Sequence, residues 1–377
     1  MLGFKNAKAY IYNKGFVTTD IAIENGIITH IGKNLPITKI IECNGMLVPG
    51  FIDLHVHGAG GNDCMDSDFC LDDFSKCLVK EGTTCFLATT MTMSEQEITL
   101  ALTNLANQQN LSGATMLGIH LEGPFISSKF KGAQQEKFLV NPSINLMEGF
   151  IKASNNKIKK VTIAPELENA NSLIEYLVKQ GVKVSIGHSS ATFAQVESAV
   201  KSGADSITHF YNAQTGLHHR EVGVVGAGLL LDELYTEVIC DDKHVCLNAI
   251  KLLVKSKPKD KVILITDSMR AKYLPEGLSE LGGQKVIVKN GEARLQNGTL
   301  AGSILKMNEA IKYLVQNNVV SLQDAINFAT INPAKSIGMD KVVGKIAKGY
   351  RADFTILDEN FNVLKTIAKG NVVYEKL

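Results

Sequence analysis

The sequence predicts an α/β fold: a (β/α)8 TIM-like barrel over residues 49–340, joined to a small β-sandwich domain built from both chain ends, residues 1–48 and 341–377. Three features point there. Short β-branched runs alternate with helix-length segments through the middle of the chain, as strands joined by crossover helices require. Both ends show alternating apolar positions and turn dipeptides instead of a helical period. Histidines and acids fall where the predicted strands end.

At the N-terminus, "AKAYIYNKGFVTTDIAIENGIITHIG" is punctuated by Asn-Lys-Gly and Asn-Gly, both suited to hairpin turns. Eight strands follow in "FIDLHVHG", "TTCFLATT", "TMLGIHLEG", "VTIAPE", "VKVSIGHS", "SITHFYN", "YTEVIC" and "KVILITD". Apolar residues recur at helical spacing in Asp68–Gly82, Ser94–Gln109, Ala170–Gln180, Thr192–Ser202 and Lys243–Lys255, so these segments can return the chain between parallel strands. Gly282–Gly298 reads as an extra hairpin after the eighth strand, with Ile304–Asn317 and Leu322–Ile331 as closing helices. The tail beyond residue 340 resumes the alternating texture, broken by Lys-Gly and Lys-Gly-Asn, and is expected to pair with the first 48 residues.

Composition limits the function. Apolar residues make up 45% and charged residues 20%, the profile of a folded globular protein. With 39 Lys+Arg against 38 Asp+Glu there is no global field to attract nucleic acid or an anionic membrane, and neither is expected as a partner. The seven cysteines are scattered and never spaced as CxxC, which reads as reduced thiols in a cytoplasmic protein. No stretch reads as a signal peptide or approaches the roughly 18 apolar residues of a membrane span.

A His, Asp or Glu inside a buried apolar strand is costly unless it is bonded. His55 and His57 close the first predicted strand, Glu122 the third, His188 the fifth, His209 the sixth and Asp267 the eighth. In a barrel those ends meet at one mouth. The i, i+2 spacing of His55 and His57 turns both imidazoles to one face, where they can address one ion. Taken singly, each of these residues could be satisfied by core hydrogen bonds. Together they predict a divalent metal site, of one or two ions, with zinc, iron, manganese, cobalt and nickel all compatible with nitrogen and oxygen donors. His120, deeper in the third strand, is expected to support the ligands rather than join them.

"PGFIDLHVHGAGG", "HLEGPF", "GHS", "THFYNA", "DDKHV", "TDSM" and "GTLAGS" resemble, in order, the signatures of the N-acetylglucosamine-6-phosphate deacetylase family of amidohydrolases, from about Pro49 through Ser303. The resemblance implies hydrolysis of an acetylated amino-sugar phosphate. Glu122, His188 and His209 match the family's metal ligands, Asp267 its catalytic acid/base, and His55 and His57 the pair that supports a second ion in some members. Substrate contacts carry over to Ala133, Gln134, Asn212, Ala213, Arg220, Asp241, Asp242, Lys243, His244, Leu300, Ala301 and Gly302. In related enzymes the arginine and the histidine of the DDKHV-like loop reach the phosphate of a neighbouring subunit, which implies a homodimer. Gln134 departs from the pattern, standing where relatives often have a histidine. Two other readings remain at this point: another amidohydrolase of the same barrel, such as a cyclic-amide hydrolase, or a metal-free barrel kept as a scaffold.

Overall fold

The computed structural model describes residues 1–67, 70–108 and 111–376. Eight parallel strands neighbour one another in chain order: Phe51–Val56, Thr83–Thr89, Thr115–Glu122, Ile158–Ile163, Lys183–Ile186, Ser206–Ile207, Tyr235–Val238 and Val262–Leu264. Each coincides with one of the eight expected runs. The seam between first and eighth strands is stitched by polar groups: the Asp267 amide donates to the His55 carbonyl at 2.9 Å, and the His57 amide to the Ser268 carbonyl at 2.9 Å. The buried Asp53 carboxylate accepts the Thr266 hydroxyl at 2.5 Å across the same seam. This fixes the chemistry-bearing ends of those two strands beside each other.

Helices return the chain between strands. Ser94 and Thr192 open two of them with reciprocal capping boxes to Glu97 and Gln195, which satisfy amides the first turn leaves free. Four of the five expected helical segments contain Leu71–Leu78, Glu95–Asn107, Ala170–Lys179 and Phe193–Ser202, and the fifth, Lys243–Lys255, overlaps Leu247–Ser256, which runs one residue further. Two of those segments reach Asp68 and Gln109, which lie outside the described residues.

Crossover helices at Ile144–Ala153 and Gly223–Leu230 join them. The second has no amphipathic period because it is buried nearly all round, and a side chain at Gly228 would strike the Phe210 ring. The insertion after the eighth strand is larger than the hairpin expected at Gly282–Gly298. Three antiparallel strands, Gly277–Leu281, Gln284–Lys289 and Glu292–Leu295, form it. Its first strand begins in "GLSEL", where an exposed leucine breaks the apolar alternation.

Both chain ends share one eight-stranded sheet, in which Phe354–Leu357 pairs antiparallel with Met46–Pro49 just before the first barrel strand. The sheet curls around its own core of Phe4, Ile21, Ile23, Leu47, Phe354 and Ile367, with Phe4 and Phe354 edge to face at 5.1 Å. Its opposite ends meet at Ala352, whose amide donates to the Gly26 carbonyl and whose carbonyl accepts from the Gly370 amide, both at 2.8 Å. Among the described residues no helix is long and apolar enough to cross a membrane.

Candidate active site

The barrel gathers all six polar strand-end residues at its mouth. His55 and His57 come from the first strand and the residue after it, Glu122 ends the third, and His188, His209 and Asp267 follow the fifth, sixth and eighth. They form two trios, His55–His57–Asp267 and Glu122–His188–His209, and within each trio the donor atoms lie within 4.8 Å of one another. The His188 and His209 Nε2 atoms are 3.0 Å apart, and each lies 3.2–3.3 Å from Glu122 Oε1. The His55 and His57 Nε2 atoms are 3.2 Å apart, with His57 Nε2 also 3.2 Å from Asp267 Oδ1. Glu122 joins the trios, its Oε1 lying 3.4 Å from His55 Nε2 and its Oε2 3.4 Å from His57 Nε2.

Three of these residues leave their strands in the left-handed region, His188 at φ 20°, His209 at 28° and Asp267 at 51°. Side-chain-bearing residues reach that region at a cost of order 1–3 kcal/mol, and such strain clusters where function requires a particular side-chain direction.

The donor set fits one or two divalent ions. Two imidazole nitrogens 3.0–3.2 Å apart cannot both carry protons, so each such pair turns at least one lone pair to the centre. The loop after the third strand orients one of them: His188 Nδ1 lies 3.0 Å from the Phe130 carbonyl and donates there, the tautomer that turns the Nε2 lone pair of a neutral ring to the centre. Burial disfavours charge on both carboxylates, yet the adjacent imidazoles hold Glu122 well below the usual carboxylate range and Asp267 at about 2. Burial likewise disfavours charge on His57, but Asp267 and Glu122 raise it to about 9.

Below pH 9 His57 therefore holds a proton that an incoming cation must displace, and raising the pH removes this competitor. Zinc titration of the metal-free protein is expected to release protons at neutral pH and to tighten as pH rises toward about 9. Calorimetry in buffers of different ionisation enthalpy measures this; affinity that does not change with pH would contradict it.

The site opens into a cavity of about 200 Å³. Of the expected substrate contacts, Ala133, Gln134, Asn212, Ala213, His244, Leu300 and Gly302 line it, while Ala301 is buried behind its wall. Asp241 holds His244, accepting at 2.7 Å from its Nδ1 and at 2.8 Å from its amide. Burial opposes a charge on that imidazole, but Asp241 raises its pKa.

Asp242 accepts the Tyr313 hydroxyl at 2.9 Å, and Lys243 borders an adjacent cavity. Arg220 is exposed, outside the cavity lining, with Nη1 2.8 Å from His219 Nε2. Gln134 is buried with both ends of its amide engaged: Oε1 accepts from the Thr92 amide at 2.7 Å and Nε2 donates to Glu122 Oε2 at 2.9 Å. It braces Glu122, a task the sequence comparison with a histidine did not suggest.

Sequence reasoning missed a polar layer beneath the mouth. Glu237 in the seventh strand and Lys160 in the fourth are buried and paired. His120, expected to support the ligands, packs edge-on against His55 at 4.7 Å and bonds the Thr162 hydroxyl at 2.7 Å. The signal for Glu237 was available: a carboxylate in the middle of "YTEVIC" breaks an apolar barrel strand just as Glu122 does.

A (β/α)8 barrel whose mouth converges four imidazoles and two carboxylates is built to hold divalent metal for hydrolytic chemistry. Residues 46–373 match the model of the amidohydrolase family, and the chain belongs to that family. It is 40% identical over 365 residues to the N-acetylglucosamine-6-phosphate deacetylase of Bacillus subtilis strain 168, spanning 94% of this chain and 92% of that one. It is 36% identical over 355 residues to the N-acetylgalactosamine-6-phosphate deacetylase of Escherichia coli O157:H7, spanning 93% and 94%. The crystal structure of N-acetylglucosamine-6-phosphate deacetylase from Thermotoga maritima superposes with a TM-score of 0.90 at 38% identity, covering 99% of this chain and all of that one.

Proposed function

We propose that the chain hydrolyses the acetamide of N-acetyl-D-glucosamine 6-phosphate, releasing acetate and D-glucosamine 6-phosphate. The observation that carries this is Asp267, ionised and 3.2 Å from His57, facing a cavity with the donor set on one side and His244 on another. The near-full-length similarity to deacetylases of this class supports the substrate.

A divalent ion, when bound, supplies an acidified water as nucleophile and a Lewis acid for the amide carbonyl. Glu122, His188 and His209 would hold it, and the second oxygen of Glu122, reaching toward His57, supports a second ion beside His55. Asp267 accepts the nucleophile's proton as the water adds to the acyl carbon, then returns it to the departing nitrogen, so one carboxylate serves as base and then acid. Met91 and Leu281 on the cavity wall exclude bulk water, which strengthens the electrostatic contacts within. His244, held by Asp241 with its pKa raised, suits the phosphate, and it does so from the lining of its own chain's cavity rather than from a neighbouring subunit as the family pattern implied.

Arg220 lies outside the cavity of its own chain, and the family resemblance, in which this arginine reaches a neighbouring subunit's phosphate, supports reading the assembly as a homodimer. Seven free cysteines support a reducing, cytoplasmic setting.

The test is acetate release from N-acetylglucosamine 6-phosphate, its unphosphorylated form and N-acetylgalactosamine 6-phosphate, each with and without a chelator. Turnover is expected on the first, abolished by chelation and restored by added divalent metal. The E. coli relative makes the galacto epimer the second reading, and a preference for it would move the assignment there. No acetate from any of the three would refute the deacetylase reading.

A further inference from the structure

We propose that Glu237, held by Lys160, is a positioning residue that fixes the His55 ring for metal binding from beneath the barrel mouth. The proposal rests on the divalent-ion reading above and extends it to residues that touch neither ion nor substrate. His55 Nε2 points at the site, 3.2 Å from His57 Nε2 and 3.4 Å from Asp267 Oδ1. Its other ring nitrogen, Nδ1, points down, and Glu237 Oε2 lies 3.8 Å away. Both atoms are buried and have no other partner among the described residues. At 3.8 Å the ring nitrogen and the carboxylate oxygen stand just beyond hydrogen-bond distance with nothing else to bond, and a small approach pairs them when His55 carries its proton on Nδ1, leaving Nε2 free as a ligand.

Lys160 gives this arrangement its second part. Its ammonium bonds the other oxygen of Glu237, joining the fourth strand to the seventh inside the barrel, where both side chains are buried. An ion pair in such a place is expensive to desolvate, and well-packed apolar residues often stabilise a core as well or better. Packing alone therefore does not account for it. The pair supplies an anion fixed under His55 whose charge Lys160 balances, so Glu237 can take the Nδ1 proton as a hydrogen bond and keep its own position. His120 packs edge-on against the same ring, with its Nε2 bonded to Thr162.

Two measurements decide the matter. Zinc affinity, read by competition with a chelator and with ion count by elemental analysis, is compared between the parent, Glu237→Gln, and the double variant Lys160→Met/Glu237→Leu. The double variant removes both charges together, so it is expected to fold with a melting temperature near the parent's. Its weakest bound zinc should be held about 10- to 100-fold less tightly, the usual effect of losing a ligand's outer partner. Glu237→Gln, which keeps an acceptor oxygen, should fall between the two.

Nitrogen-resolved NMR of zinc-loaded 15N-histidine-labelled parent, with His55 assigned by its loss in His55→Asn, should show the His55 proton on Nδ1. This second measurement does not depend on any Glu237 or Lys160 variant folding. Parent-like zinc affinity and count in the double variant, or a His55 proton on Nε2 in the parent, would overturn the proposal. A parent that takes up no divalent metal would overturn the divalent-ion reading and this one with it.

Discussion

Asp267→Asn is expected to lower kcat by about 10²- to 10⁴-fold, the range over which a positioned general acid–base contributes, while changing KM little. The amide has nearly the shape of the carboxylate, so the seam bond from the residue-267 amide to the His55 carbonyl is kept. It can neither accept the attacking proton nor return one to nitrogen. Ion binding should survive at the other trio, because Glu122, His188 and His209 do not depend on Asp267 for their mutual contacts. Steady-state kinetics with elemental analysis on one preparation separates the effects. Loss of turnover with the metal retained supports proton transfer, whereas near-parent turnover would remove Asp267 from the chemistry.

Glu122→Gln should be at least as damaging, for a different reason. This carboxylate is the one group both trios share, and it offsets the positive charge that a bound dication brings into a buried space. Neutralising it removes the strongest donor and leaves the Gln134 amide facing an amide instead of an anion. Divalent ions contribute several kcal/mol of transition-state stabilisation, and about 1.4 kcal/mol is tenfold in rate, so activity should fall by on the order of 10³-fold or more. Metal content should fall with it. A variant that retained both metal and rate would show that Glu122 is not the shared ligand.

The contrast between these residues and Glu237 shows how far the sequence could be read. Barrel strands bury both faces, so a charged or imidazole side chain in such a run stands out, and its place at the end of the run points it to the mouth. That logic located His55, His57, Glu122, His188, His209 and Asp267. It stopped at strand ends, and so passed over Glu237 and Lys160 in strand interiors, where the same cost of burial applies.

Gln134 illustrates a harder limit. Its bonds run to Thr92, 42 residues away, and Glu122, 12 residues away, and only the folded loop brings those partners together. The Gly223–Leu230 helix escaped because a segment buried over nearly its whole length carries no periodic signal.

The backbone at His188, His209 and Asp267 bears on how tough this protein can be made. Glycine would relieve the backbone strain at all three positions, of order 1 kcal/mol apiece before its own entropic cost is set against it. Each such gain would delete an imidazole or carboxylate that catalysis needs. Attempts to raise the heat tolerance of this molecule should therefore leave the rim alone and work on its outer helices and loops, and an inactive descendant would be free to drift toward glycine at the very residues that mark a working copy.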